Sequence, residues 1–435
     1  MTKRKRIILV SVSAGMAALL ATVAVGGLLL MRHFNGNIQQ YNINESGLLG
    51  QQPVDTHPQA ENILVLGSDT RNGQGKGYGT GLVTDQSDTT MIIHIPASRN
   101  WAEVMSIPRD SWVNIPACKM GNGQMSAPQQ FKLNEAFAIG NLYGNHTALG
   151  VACTLKTIEQ DTGIYLDHFI VVNFTGFKNM VAALGGVPEC NPTPIDDPNS
   201  HLYLTAGRHL LNPAQALGYV RARYTLGDGS DLERIGRQQA FMSSLIARVQ
   251  SKMLDPLAIY RFLDAATQSL TIDTQLGGIT GLYNLGESLR GIPKKDIAFF
   301  TLPNVPRGDG ANVRWSQPED DAIFKSFRDD VPASRALFGP PAGGSATTGG
   351  TSPLVAANAG TQDIGARPKL ARPVPGPTGT VAPHRSATAP GSPGASSSVS
   401  DITSPGVTSS ATPAAPAGQA TSLRARTANQ SICAG

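Results

Sequence analysis

Four short clusters of charged side chains are the parts of this sequence best suited to chemistry. The first is Gly67-Ser-Asp69-Thr-Arg71, directly after a short apolar run. The second is Ser87-Asp88-Thr89, directly before another. If those runs are neighbouring strands, Asp69 and Asp88 meet on one rim of a sheet. Two carboxylates there suit Mg²⁺, a hard cation that takes oxygen ligands and keeps waters and substrate phosphates. The same two residues also suit turn caps, a common place for Asp. The third cluster is Ser106-Ile-Pro-Arg109-Asp110, which reads either as site residues or as a surface ion pair. The fourth is the densest: Arg221, Arg223, Asp231, Arg234, Arg237 and Gln238. Arg221 and Arg223 share a face only in extended chain, whereas Arg234 and Gln238 share a helix face. Several guanidinium groups near a helix start favour an anion, and their forked donors match phosphate oxygens. A solvated helix face paired with Asp228, Asp231 and Glu233 is the alternative. Lys132 is one more candidate cation.

The elements that must position these groups follow from apolar spacing. Asn62–Gly67, Thr90–Ile95, Glu103–Ile107, His168–Asn173 and Ile297–Leu302 read as short buried strands. Asn173–Leu184 reads as a helix stopped by Gly185-Gly186. Ser230-Asp-Leu-Glu233 has the form of a capping box opening a long helix to about Met253. Glu319–Phe327 reads as a last helix. Strands mixed with helices predict an α/β fold, a mixed central sheet flanked by helices. His94 and His168 fall on strands and read as structural.

Some chemistries find no support. There is no Gly-x-Ser-x-Gly, no phosphate loop ending in Gly-Lys, and no His pair at metal spacing. A covalent serine or cysteine enzyme is therefore not favoured. The net charge is +4, and Lys3, Arg4, Lys5 and Arg6 account for all of it. The remainder is balanced, unlike a general nucleic-acid binder.

Residues 1–6 read as a cytoplasmic N-terminus and 7–31 as a transmembrane anchor. That run carries no charge and is long enough for the roughly 30 Å apolar core of a bilayer, and its basic flank places the N-terminus inside. Residues 32–61 read as a polar stalk, 62–338 as the globular domain, and 339–435, rich in Ala, Pro, Ser and Thr, as a disordered tail. The globular part is then outside the cell membrane. Of the cysteines Cys118, Cys153, Cys190 and Cys433, the first two are the expected disulfide, both lying in a loop-rich stretch after Pro116.

Taken in order, the segments NILVLGSDTR, SDTTMIIHI, VMSIPRDSWVNIP, KLNEAF, NFTGFKNMVAALGGV, ALGYVRARY and GSDLERIGRQQ resemble the LytR-CpsA-Psr family of cell-envelope proteins, from about Asn62 to Asp330. The resemblance implies an α/β/α fold with an apolar tunnel for a polyprenyl chain. It implies transfer of a glycopolymer, teichoic-acid-like or arabinogalactan, from polyprenyl pyrophosphate to peptidoglycan, releasing polyprenyl phosphate. It assigns Asp69 and Asp88 to Mg²⁺ and Arg109, Arg221, Arg223 and Arg234 to the pyrophosphate. Lys132, Asp231 and Gln238 join the site, with Arg237 and Asp110 supporting and Arg71 in the first cluster. The cysteines and the tail resemble an actinobacterial member. Two other readings fit the same residues: a polyprenyl-pyrophosphate hydrolase, and a non-enzymatic envelope-binding or regulatory protein.

Overall fold

The computed structural model describes residues 3–44, 47–68, 86–144, 146–223, 231–252, 254–333 and 426–427. The chain opens with α1 (Lys3–Asn37) and β1 (Gln39–Tyr41), then runs through β2 (Glu61–Ser68), β3 (Ser87–Ile95), β4 (Ala102–Ile107), β5 (Trp112–Ile115) and β6 (Gln129–Lys132). Two helices, α2 (Leu133–Asn141) and α3 (Thr147–Thr162), lead to β7 (His168–Asn173) and α4 (Phe174–Ala183). Two small hairpins combine β8 (Val187–Asn191), β9 (Ile195–Asp197), β10 (Leu202–Leu204) and β11 (Gly207–Leu211) with α5 (Pro213–Arg221). After α6 (Asp231–Lys252) and α7 (Pro256–Thr267) come β12 (Leu270–Asp273), α8 (Gly278–Gly291), β13 (Ile297–Thr301), β14 (Asn304–Pro306), β15 (Val313–Trp315) and α9 (Glu319–Arg328). Arg426–Thr427 form β16.

The expected mixed sheet is present, with strand order β1-β12-β7-β2-β3-β4-β13-β16. β2 pairs parallel to β7 and antiparallel to β3, and β4 pairs parallel to β13. Its central strands are buried on both faces, which is why they read as unbroken apolar runs. Along β2, Leu64 and Leu66 face a core shared with α2, α3 and α9, while Ile63 and Val65 face α6, α7 and α8. The five strands and three helices read from spacing all form, and Asn173 caps α4 by accepting from the Gly176 N–H. Ser230, the expected cap of α6, lies outside the described residues.

Two boundaries differ from the sequence reading. Residues 32–61 are not a polar spacer. Phe34 on the last turn of α1 and Ile38 just beyond its end are buried among Ile63, Ile95, Ile170 and Ile272. Polar neighbours mask this apolar pair in the average composition, and β1 then pairs with β12. At the other end, the stretch read as tail returns at Arg426–Thr427 to pair antiparallel with β13. Cys118 and Cys153 are bonded as expected, although Cys153 sits within α3 rather than in a loop. Cys190 is also disulfide-bonded.

Candidate anion site

The site gathers at the ends of β2 and β3, where α4, α5, α6 and the β9–β10 turn converge. A cavity of about 220 Å³ is lined by Asp88, Arg109, Asp197, Arg221, Arg223, Arg234 and Gln238, together with Gly67, Thr89, Phe174 and Val220. Residues as far apart in sequence as Gly67 and Gln238 thus share one wall. Each is held by a specific contact. Arg109 follows β4 and forms an ion pair with Asp88. Arg234 lies on the first turn of α6 and donates to the Asp88 carbonyl at 2.9 Å. Gln238, one turn further, donates to Thr89 Oγ1 at 3.0 Å and to the Val220 carbonyl at 3.1 Å.

Arg221 and Arg223 share the cavity because the helix stops between them. α5 starts with a capping box, Asn212 and Gln215 exchanging side-chain and backbone bonds around Pro213. It ends at Arg221, and Ala222 is extended at φ −55°, ψ 133°, the geometry in which i and i+2 side chains share a side. Arg221 lies over the Phe174 ring, 4.8 Å from its centroid. The Arg223 N–H donates to Asp197 Oδ2 at 2.8 Å.

Other nominated residues stand elsewhere. Asp110 is buried behind the cavity, its Oδ2 3.6 Å from both Arg109 Nε and Arg223 Nη2, so it positions two arginines rather than lining the pocket. Arg237 is also buried behind it and donates to the Ala222 carbonyl, so it braces the Arg221–Arg223 segment and does not line the cavity. Burial pushes its guanidinium below the usual arginine range. Lys132 ends β6 opposite Trp112, with Nζ 5.9 Å from the Phe131 centroid. It does not line the cavity, because the β5–β6 hairpin turns it over its neighbour's ring. Asp69 and Arg71 lie outside the described residues. Asp231 opens α6, and its side chain also lies outside the described ones.

Sequence reasoning did not point to Asp197, whose carboxylate is fully buried. Its Oδ1 accepts from the Asn199 and Ser200 N–H groups at 2.9 and 3.1 Å, and its Oδ2 accepts from Arg223. In sequence it is one Asp of an Asp-Asp pair before Pro198, a turn signal with nothing to tie it to Arg223.

With the geometry in place, relatives can be weighed. The LytR_cpsA_psr family profile matches residues 34–328. The chain belongs to the LytR_cpsA_psr family. Similar proteins include the "Probable cell wall biosynthesis protein LcpB" of Corynebacterium glutamicum, 31% identical over 282 residues, which are 61% of this chain and 61% of that protein. The "Cell wall biosynthesis protein LcpA" of the same organism is 30% identical over 315 residues, 67% of this chain and 59% of that one. The "Polyisoprenyl-teichoic acid--peptidoglycan teichoic acid transferase TagT" of Bacillus subtilis is 29% identical over 305 residues, 67% of this chain and 85% of that one. The chain thus matches about three-fifths of the length of the two corynebacterial proteins. The profile starts at residue 34, where α1 begins to pack into the core, rather than at residue 62.

In this LytR_cpsA_psr protein the charge at the cavity wall is unbalanced. Among the described residues, four guanidinium groups face two carboxylates, an excess of two positive charges. The wall also leads into apolar ground. Gly67 and Thr89 are paired across β2 and β3, and two steps back on each strand come Val65 and Met91, themselves paired. Alternation puts these on one face of the sheet. Val65, Ile93, Val172, Leu263, Leu282 and Leu289 on that side are only partly buried. Partly buried apolar side chains between the sheet and α6–α8 thus lie on the same sheet face as Gly67 and Thr89 of the charged cavity. The histidines are structural: His94 bonds Asn62 at 2.7 Å and Asp330 at 3.1 Å, and burial lowers its pKa to about 4.

Proposed function

We propose that this chain is a phosphotransferase that moves a glycopolymer from a polyprenyl-pyrophosphate carrier to peptidoglycan. The observation that carries the reading is the convergence of Arg109, Arg221, Arg223 and Arg234 on one cavity. A disubstituted pyrophosphate bears two negative charges, which match the excess at the wall. In this reading the partly buried apolar side chains on the same sheet face would take the polyprenyl tail. The name of the Bacillus subtilis relative TagT describes chemistry of this type. In this reading α1, long and apolar enough to cross a membrane, anchors the chain with its basic N-terminus in the cytoplasm and the domain outside.

The arginines grip the non-bridging oxygens of the diphosphate and offset charge that builds on the leaving phosphate. A sugar hydroxyl of the acceptor attacks the phosphorus nearer the glycan. The new O–P bond forms as the bridging P–O bond breaks, and polyprenyl phosphate leaves with the bond's electron pair. Asp88, 31% exposed at the cavity wall, is our candidate to take the hydroxyl proton to the extent that the metal does not occupy its carboxylate. Asp110 lies between two guanidinium groups outside the cavity and serves to position them.

Mg²⁺ fits the donor set. Among the described residues no three acidic, His or Cys side chains cluster. Mg²⁺ needs no such cage, since one or two carboxylates and substrate phosphates commonly hold it. Asp88 is the described residue that would bind it, and Asp69 would be a second ligand by family resemblance. When bound, the ion neutralises diphosphate charge.

The test is a reconstituted transfer assay with the full chain in bilayers, a lipid-linked glycan and peptidoglycan. The wild type should attach glycan to peptidoglycan, lose that activity in chelator and regain it with Mg²⁺. Arg221→Ala combined with Arg223→Ala should lower transfer more than a hundredfold while thermal unfolding is nearly unchanged. Release of glycan without attachment would make the chain a hydrolase. Undiminished transfer by the double variant would overturn the site.

A further inference from the structure

Between the apolar span and the folded domain there is almost no chain to spare. The uncharged run ends at Met31, and by Phe34 α1 is buried in the domain. The attachment is rigid. His33 Nε2 lies 2.7 Å from Asp264 Oδ1, and Asn37 Nδ2 lies 3.3 Å from the same oxygen and 3.4 Å from Thr267 Oγ1. Phe34 meets Tyr260 with ring centroids 5.6 Å apart, and Asn35 Oδ1 caps α8 by accepting from the Ile279 N–H at 2.9 Å.

These contacts also set the direction of α7. Asn37 touches Thr267 and Asp264, whereas Phe34 touches Tyr260. Stepping back along α1 towards the span steps back along α7 towards its first turn. Leu257 precedes Tyr260 by three residues, as Met31 precedes Phe34. At 1.5 Å per residue each offset is about 4.5 Å. The first turn of α7 therefore reaches the level at which the apolar span ends.

The residues there are unusual for a surface in water. Leu254 is 97% exposed, Leu257 57% and Tyr260 40%. Arg32 and Arg261 are exposed beside them, and Lys252 is half-buried. The acidic neighbours are engaged: Asp255 caps α7 by accepting from the Ala258 N–H at 3.0 Å, and Asp264 is held by His33 and Asn37. Exposed leucines, an aromatic ring with a polar tip and flanking basic side chains are the composition of an interfacial membrane contact.

We propose that the α6–α7 corner is a second membrane attachment: Leu254 and Leu257 enter the leaflet from which α1 emerges, Tyr260 sits at the headgroup level, and Arg32, Lys252 and Arg261 meet lipid phosphates. The anchor and this corner together fix the tilt of the domain, so the charged cavity keeps one orientation towards the bilayer. The inference rests on α1 crossing the membrane, not on the transfer reaction.

The experiment uses the full chain in nanodiscs of phosphatidylglycerol and phosphatidylcholine whose acyl chains are brominated near the headgroup. Leu257→Trp is compared with Met125→Trp, an equally exposed position beyond the opposite face of the sheet, with the emission of the native tryptophans subtracted. The corner tryptophan should emit at shorter wavelength and be quenched at least twofold more than the control. Equal quenching with water-like emission from both would overturn the proposal. A chain that fails to enter nanodiscs would overturn it at the earlier step, by removing the span itself. Both side chains are exposed, so neither substitution disturbs the core.

Discussion

Asp197→Asn removes one charge and one acceptor from the wall of the anion cavity and leaves its shape nearly unchanged. The buried carboxylate accepts three N–H groups: Asn199 and Ser200 on Oδ1, Arg223 on Oδ2. In the variant the amide oxygen keeps the first two bonds. The amide NH₂ then faces the Arg223 N–H across 2.8 Å, donor against donor. A hydrogen bond to a charged group contributes about 1.5–3 kcal/mol, so the Arg223 backbone moves away and its guanidinium leaves its place beside Asp110. If that energy is expressed in binding the diphosphate, kcat/KM for the lipid-linked donor falls about 10- to 100-fold, because each 1.4 kcal/mol is a factor of ten. The assay is transfer at varied donor, with acceptor saturating and thermal unfolding measured in parallel. The loss should lie in donor use, with KM for peptidoglycan unchanged. A folded variant whose donor kinetics stay within twofold of wild type would refute the claim that Asp197 places Arg223.

Three further outcomes follow from other contacts. Asp110→Asn leaves Arg109 and Arg223 without their shared countercharge; donor KM should rise about tenfold, and an unchanged KM would remove its positioning role. Glu159 is buried, which raises its pKa to about 7 despite bonds from the Leu166 N–H and Gln52. The folded state thus holds this proton more tightly than the unfolded one, and the resulting stability is full below about pH 4.5 and lost as pH rises to about 7. Glu159→Gln should flatten that part of the stability profile, raising the unfolding temperature relative to wild type at pH 8; an unaltered profile would show that Glu159 titrates normally. Replacing Cys118 and Cys153 by Ser opens a loop with sequence separation 35, which should cost about 4 kcal/mol on the chain-entropy account. Equilibrium unfolding in denaturant reads this directly, and a loss under 1 kcal/mol would contradict it.

The sequence by itself determined the central strands and most of the charged residues that line the cavity. Runs such as Ile63–Leu66 and Phe169–Val172 are apolar throughout because both faces of those strands are covered, and that pattern needs no partner to be seen. Arg221, Arg223, Arg234 and Gln238 were legible as a dense basic cluster, and the cavity takes all four. The capping box at Asn212 and Gln215 that opens α5 went unread, because apolar spacing does not carry it.

Tertiary structure decided which charged residues face the substrate and which stand behind it. Asp110 and Arg237 look like ligands in sequence, yet each is turned onto protein groups, two guanidiniums in one case and the Ala222 carbonyl in the other. Asp197 looks like a turn residue and lines the cavity. Lys132 looks like part of the site and is not in its wall. Such roles depend on where a side chain's few available partners lie, and several of these are distant in sequence: Ala222 for Arg237, and Arg223 for Asp197 and Asp110. The rigid seat of α1 on α7 has the same origin: Phe34, Asp264 and Ile63 become neighbours only when strand pairing folds distant segments over one another, because burial, unlike spacing, is a property of the assembled chain.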